Sequence, residues 1–378
     1  MDKIKVLHVV PYLKEGGVEK RRVFLAEGLD PKRFQQRVIC LEASVRMKEK
    51  CEAAGIAVIE LGELRRSALV SLGTIKAIRR EILDWKPEVV HAAVFEGMYL
   101  GGMASILARG RGLVLEETSD LYGRGRSRAM RVLLRAISLF AHAYVAISPS
   151  VKEYLISEQK IPAQKVLLIQ NAVPVPKRRS RRQNRATRER LGIPSDAFVV
   201  GSVGRLNNDH KRFTDVIDAF ELASRLSPNS RLLIAGDGPD RARIERHARE
   251  RGVADRVVFT GYVEDIDTLY GVMDVFVLAS AHEGFGLVIA EAMMHGLPVI
   301  ATKVGGVVSI VRDGETGVLV PVGDVRALAS ALGEVRVLPD IRKRIGTSAR
   351  EYAQRELSLD RYIGDVTSLY EHVSSRNK

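Results

Sequence analysis

Short apolar runs, each followed by a glycine-bearing turn or a helical stretch, recur along the whole of this 378-residue chain. They fall at residues 4–10, 36–41, 57–60, 89–92, 112–116, 143–147 and 165–170, and a helix is expected at 18–28 after the first. The rhythm breaks at Pro174-Val175-Pro176 and the charge run behind it. It restarts with strands expected at 197–203, 231–235, 257–259, 275–278 and 298–301, and helices at 213–226, 240–251 and 286–295. From Asp324 the tail reads as helix almost throughout. The strands do not alternate between apolar and polar residues, so both faces of each sheet must be covered, which is the mark of parallel sheets layered between helices. The chain is long enough for two domains and too long for one ordinary domain. The expectation is an α/β protein of two Rossmann-like domains with a cleft between them. The first would span 1–173, a basic linker 174–190, and the second 191–355. A terminal helix at 356–378 would pack back toward the first domain.

In sheets of this kind ligands bind beyond the carboxyl ends of the strands, so the informative residues lie in the loops at those ends. After the first strand, Gly16-Gly17-Val18-Glu19 opens a helix, where glycine lets a phosphate approach the backbone and the helix N-terminus attracts its charge. The first strand of the second half leads into Gly204-Arg205-Leu206-Asn207-Asn208-Asp209-His210-Lys211. Arg205 and Lys211 are two cations of the kind a departing diphosphate needs. Gly236-Asp237-Gly238-Pro239 reads as a sharp scaffold turn with proline at a helix start. The last loop is Ser280-Ala281-His282-Glu283-Gly284-Phe285-Gly286-Leu287-Val288-Ile289-Ala290-Glu291. Glu283 and Glu291 are eight residues apart and can point to one side of a helix and its N-terminal extension. The glycines between them leave N–H groups open at the helix start.

The run from Glu283 to Glu291 resembles the paired-glutamate motif of retaining glycosyltransferases with the GT-B fold. That large family includes sucrose synthases, bacterial glycosyl-1-transferases and phosphatidylinositol mannosyltransferases. Gly16-Gly17-Val18-Glu19, Gly204-Arg205 with Lys211, Gly236-Asp237-Gly238-Pro239 and Gly305-Gly306 occur in the family's order, so the resemblance covers nearly the whole chain. It implies a nucleotide-diphosphate sugar as donor and co-substrate, with no other cofactor and no metal. Arg205 and Lys211 would clamp the phosphates, and Gly17 would offer them its N–H. Glu291 would hold the ribose hydroxyls. Glu283 would hold the transferred hexosyl unit, with the backbone of Phe285, Gly286 and Leu287 nearby. Val263, in Gly261-Tyr262-Val263-Glu264-Asp265, would contact the base. Two positions depart from the family pattern. His91 matches the first of two histidines that the family often carries, but Ala93 stands in place of the second. His91 is thus either an acceptor contact or a structural residue of its strand, with Glu96 and Glu117 as further acceptor candidates. Gly305-Gly306-Val307-Val308-Ser309 also lacks the family's frequent Pro-Glu.

Charge bears on the acceptor. Residues 1–176 hold 28 Lys and Arg against 19 Asp and Glu, residues 177–190 hold 8 against 1, and residues 191–378 hold 23 against 26. The excess of +13 therefore lies in the first half and the segment after it. Arg124, Arg126, Arg128, Arg131 and Arg135, interleaved with Met130, Val132, Leu133, Leu134 and Ile137, make a basic amphipathic stretch. It suits either an anionic membrane surface or a solvated face packed on its own domain. The resemblance places the acceptor on the first domain, and the charge suits a lipid-linked or otherwise anionic glycan of the kind used in cell-surface polysaccharide assembly. Nucleic acid is not expected, because no zinc finger or RNA-recognition signature is present. The opening residues read as a strand rather than a signal peptide, and no run reaches the roughly 18 apolar residues of a membrane span. The expected location is cytoplasmic, with peripheral contact at the inner membrane face. Cys40 and Cys51 are read as reduced packing thiols. Three rival readings remain open: a non-catalytic nucleotide-sugar-binding subunit, a nucleotide-sugar epimerase and, on charge alone, a basic nucleic-acid-binding protein.

Overall fold

The computed structural model describes residues 3–14, 17–62, 72–119, 128–224 and 227–375. It divides into two compact units. One comprises Met1–Asn171 with Leu359–Lys378, and the other comprises Ala172–Ser358.

The first unit is built on seven strands: β1 (Ile4–Val9), β2 (Phe34–Cys40), β3 (Ala57–Glu60), β4 (Val89–Ala93), β5 (Leu113–Glu117), β6 (Ala143–Ala146) and β7 (Val166–Leu168). They pair in parallel in the order β3-β2-β1-β4-β5-β6-β7. β4 and β5 are buried at every position, His91, Glu116 and Glu117 included, which is why their sequences do not alternate. The order reverses beside β1, so a switch point opens between β1 and β4 at their carboxyl ends. There the register sets His8 directly beside His91. Cys40 and Cys51 are free thiols in the apolar cluster under this sheet, and burial pushes them up to about 12 and about 11.

The second unit repeats the plan with β8 (Phe198–Val203), β9 (Ser230–Ala235), β10 (Val257–Gly261), β11 (Val275–Leu278), β12 (Val299–Thr302) and β13 (Gly317–Val320), in the order β10-β9-β8-β11-β12-β13. Phe213, Phe220 and Ile244 lie fully buried under its strands with Leu232, Val275 and Ile300. The edge strand β13 has no counterpart among the expected strands.

The segment expected to be a linker is largely helix. Arg181–Arg190 is helical, opened by a capping box in which Ser180 accepts from the N–H of Gln183 and Gln183 returns the bond. Arg188 ties the helix to the second unit through the Val272 carbonyl at 2.9 Å and Asp274 at 3.1 Å. The terminal helix Leu359–Ser375 belongs to the first unit. Tyr362, Val366, Leu369, Tyr370 and Val373 are its buried apolar residues, a spacing of three and four that makes one apolar stripe.

Candidate active site

Two loops at the carboxyl ends of β8 and β11 meet in the second unit. Asn207 accepts from the His210 N–H and starts the short helix Asn208–Lys211. That turn carries the Lys211 stem past Gly204 and brings Nζ to 2.5 Å from Oε1 of Glu283. The two side chains are 17% and 9% exposed. The Glu283 oxygen also accepts from the buried Ser280 hydroxyl at 2.8 Å, and Thr302 donates to the Ser280 carbonyl at 2.6 Å. The Ala281 N–H donates to the His210 carbonyl, fastening one loop to the other. A third loop closes on the Glu283 backbone, where the Gly306 N–H donates to the Glu283 carbonyl at 2.8 Å. Gly305 has φ +41°, and a Cβ there would land on that same carbonyl oxygen, while one on Gly306 would land on the Gly284 carbonyl. The glycine pair is therefore demanded by close approach to the acidic loop, with or without the Pro-Glu expected after it.

Arg205 is exposed on the loop that also carries Lys211. Its backbone is fixed by its neighbour, since the Leu206 N–H donates to the Asp237 carbonyl and the Leu206 carbonyl accepts from Asp240, each at 3.0 Å. A Cβ on Gly238 would fall 2.6 Å from the Leu206 carbonyl oxygen. The turn Gly236-Asp237-Gly238-Pro239 thus acts as scaffold for the cationic loop.

Beyond Glu283 the chain passes through Gly286, left-handed at φ +92°, into the helix Leu287–Met294. No side chain caps this helix start. The Ile289 and Ala290 N–H groups turn back on the Gly286 carbonyl, so it is the Leu287 and Val288 N–H groups that no earlier helical carbonyl can reach, at the positive end of the dipole. Phe285 is buried, so its ring is anchored under the turn. Glu291 is half-buried one turn further on, and the Tyr270 hydroxyl donates to its Oε2 at 2.9 Å. Val263 is half-buried just past β10. Among the described residues, no group of three or more His, Cys, Asp or Glu side chains is placed to hold a metal ion. The residue types of this loop were legible in sequence; Tyr270 was not, because only a contact between separate elements brings it to Glu291.

In the first unit, Gly17 is exposed at the start of the helix Gly17–Gly28, while Gly16 lies outside the described residues. His91 requires a correction. It is 1% exposed, its Nδ1 pairs with the Tyr370 hydroxyl at 2.6 Å, and its Nε2 lies 3.1 Å from Glu116. A ring held on both sides inside the sheet has no surface for an acceptor, so of its two readings the structural one fits. Glu117 is buried as well. Glu96 remains exposed in the first turn of the helix Phe95–Ala108. Val94, just before it, holds φ +63°, a conformation costing a β-branched residue of order 1–3 kcal/mol, and such strain concentrates where a loop does work.

Of the basic amphipathic stretch, Arg124 and Arg126 lie outside the described residues. The helix Arg128–Leu139 packs Leu134 and Ile137 inward. Outward it shows Arg131, Arg135, Val132, Leu139 and, just past its end, Phe140. The described part of the stretch is thus an amphipathic helix packed on its own unit, with arginines and three large apolar side chains left outward. No helix among the described residues is long and apolar enough to cross a membrane.

The residues 183–352 match the family profile of glycosyl transferases group 1, and residues 15–176 match that of glycosyltransferase family 4. A lipopolysaccharide core biosynthesis glycosyltransferase of Rhizobium meliloti is 35% identical over 180 residues, covering 47% of this chain and 52% of that protein. The match thus spans about half the length of the first curated relatives. Among solved structures, a glycosyltransferase of Rickettsia africae superposes with a TM-score of 0.87 at 21% identity, over 99% of each chain. Anabaena HepE in complex with UDP superposes at 0.85 and 22%, over 98% of this chain and 100% of that one. At these identities the likeness gives the fold, GT-B, for both parallel-sheet units.

Proposed function

The chain belongs to the group 1 glycosyl transferases, and on that premise we propose that it moves a hexosyl unit from a nucleotide-diphosphate sugar to a glycan or lipid-linked acceptor, with retention and without a metal. The observation that carries the donor reading is the Lys211–Glu283 contact beside an uncapped helix start. A cation, two carboxylates and open N–H groups gathered on one strand-end surface match the parts of a sugar diphosphate. Arg205 and Lys211 stabilise the diphosphate, the Phe285–Leu287 backbone receives a phosphate, Glu291 the ribose, Val263 the base and Glu283 the sugar. In the reaction the bond from the anomeric carbon to the phosphate oxygen breaks as the acceptor oxygen bonds to that carbon. The departing phosphate oxygen takes the acceptor proton, so no side-chain base is required, and the protein contributes positioning and charge stabilisation. The two cations do here what a divalent ion does elsewhere. The acceptor falls to the first unit, where Glu96 is the exposed carboxylate beside a strained turn.

The test is a thermal-shift series with UDP, GDP and their sugars in the presence of a chelator. One nucleoside diphosphate should stabilise the protein by about 2.7 kcal/mol at a hundredfold excess over its Kd. Arg205→Ala and Glu291→Ala should abolish most of that shift. Equal shifts in parent and variants would remove both residues from the site.

The outward face of Arg128–Leu139 also supports contact with an anionic membrane at the acceptor end. Its arginines suit acidic headgroups, and Val132, Leu139 and Phe140 suit the acyl boundary. Flotation with vesicles should show binding that rises with anionic lipid and falls with salt, and Phe140→Asp should lower it severalfold. Identical recovery on neutral and anionic vesicles ends the membrane reading.

A further inference from the structure

Glu291 is held in place by a side chain that no part of the donor reading uses. Tyr270 is 1% exposed and ends the short helix Asp267–Tyr270, which lies directly after the segment carrying Val263. Its hydroxyl lies 2.9 Å from Oε2 of Glu291 and 3.2 Å from the Val288 carbonyl, both on the helix Leu287–Met294. Burial first, and Glu291 second, push the phenol well above its ordinary value, so it remains a donor throughout the working range of pH. The ring stacks on His295 at 5.1 Å, with 29° between the planes. His295 caps the end of the helix that carries Glu291, and its Nε2 lies 3.0 Å from Oδ1 of Asp267. The hydrogen bond from His295 holds the Asp267 carboxyl below its usual range. Asp267, His295, Tyr270 and Glu291 therefore form a closed chain of contacts. It leaves the short helix at its first residue and returns at its last.

We propose that Tyr270 is a positioning residue that fixes the Glu291 carboxylate relative to the base-side segment, so that ribose and base are read as one rigid unit; this rests on the donor reading of Glu291. A glutamate on a helix has three side-chain torsions to settle. One charge-assisted hydrogen bond from a buried ring, itself clamped by His295, selects among them before the ligand arrives. Placement in advance matters most for the ribose hydroxyls, which are the groups the carboxylate serves.

The test is calorimetric titration of the tighter of UDP and GDP, and of its 2′,3′-dideoxy analogue, into the parent, Tyr270→Phe, Glu291→Gln and the double variant. Phenylalanine keeps the ring on His295 and removes only the hydroxyl. The nucleotide should bind roughly tenfold more weakly to Tyr270→Phe, the effect of one lost hydrogen bond to a charged group, while the dideoxy analogue binds as to the parent. The double variant should lose little more than Glu291→Gln alone, because the two residues act through one another. Unchanged nucleotide affinity in Tyr270→Phe overturns the proposal, and so does an equal loss for both ligands, which is the mark of a merely structural ring. Should that variant melt early, Asp267→Asn carries the same ribose-dependent loss at smaller size, and its absence there overturns the proposal equally. A parent that fails to distinguish the nucleotide from its dideoxy analogue refutes the ribose role of Glu291 itself, a different result from either.

Discussion

Lys211→Ala is expected to lower kcat for transfer by roughly a hundredfold to a thousandfold at saturating donor, the loss typical of removing one preorganised group from a developing anion. The Lys211 side chain is only 17% exposed and its Nζ is already 2.5 Å from Glu283, so little reorganisation is needed when a phosphate arrives. In the free protein Glu283 is the carboxylate partner of the lysine inside a half-buried loop. On the proposed donor reading the diphosphate would become a second anion for the same cation, leaving Glu283 to the sugar. Lys211→Arg preserves the charge but replaces a point donor with a planar fork, for a stem that already lies against Gly204, and should recover only part of the rate. Initial rates of nucleotide release with acceptor present are the measurement. A Lys211→Ala enzyme within about threefold of the parent would assign the charge stabilisation elsewhere, with Arg205 the first place to look.

The sequence made this loop visible because its demands are local. The runs that form β8 and β11 are apolar on both faces, so their ends could be placed to within a residue or two, and the loops at those carboxyl ends are the ligand side of the sheet. Glycine at 286, 305 and 306 is required by a left-handed turn or by backbone contact, and such requirements are written in the sequence as glycine. What escaped was whatever depends on partners far along the chain. The helix Arg181–Arg190 passed for a linker because it is charged or polar at every position but Ala186, although the Ser180-to-Gln183 capping box was there to be read. The strand Gly317–Val320 passed unnoticed because its middle residues are only half-buried. His91 could be seen either as a family histidine or as a strand residue. Its actual partners come from Arg22, Glu116 and Tyr370, on three other elements, and no spacing announces that.

That buried group around His91 should govern the stability of the first unit. Glu116 is fully buried and pairs with both Arg21 and Arg22, which are themselves 1% and 0% exposed. Arg22 also bonds Nδ1 of His8 at 3.0 Å, and Arg21 Nε reaches the Tyr362 hydroxyl at 3.3 Å, so the terminal helix is locked to the sheet by the same cluster. Glu116→Gln keeps the volume and leaves two buried guanidinium groups without a counter-charge. It should cost about 3–5 kcal/mol, a large share of the 5–15 kcal/mol typical of a folded domain. The urea midpoint by circular dichroism reports it.

The same cluster sets the response to acid. Burial, then Arg22, lower both histidines, His91 to about 4. Burial alone would raise the Glu116 carboxyl, but Arg21 and Arg22 outweigh it and hold it well below the usual range. All three folded values are depressed, so the unfolded chain takes up protons first as pH falls. The stability they contribute is whole above about pH 6.5, where unfolded histidine is neutral, and it drains as pH drops toward the folded value, by at most ~1.4 kcal/mol per unit for each histidine. Glu116 adds its own loss only below the ordinary glutamate value. The urea midpoint should therefore be flat from pH 8 to 7 and fall steadily from 6.5 to 4.5, and His91→Gln should reduce that slope by roughly half. A midpoint that holds level down to pH 5 in the parent would mean that the rings meet water and that the cluster is looser than its contacts imply.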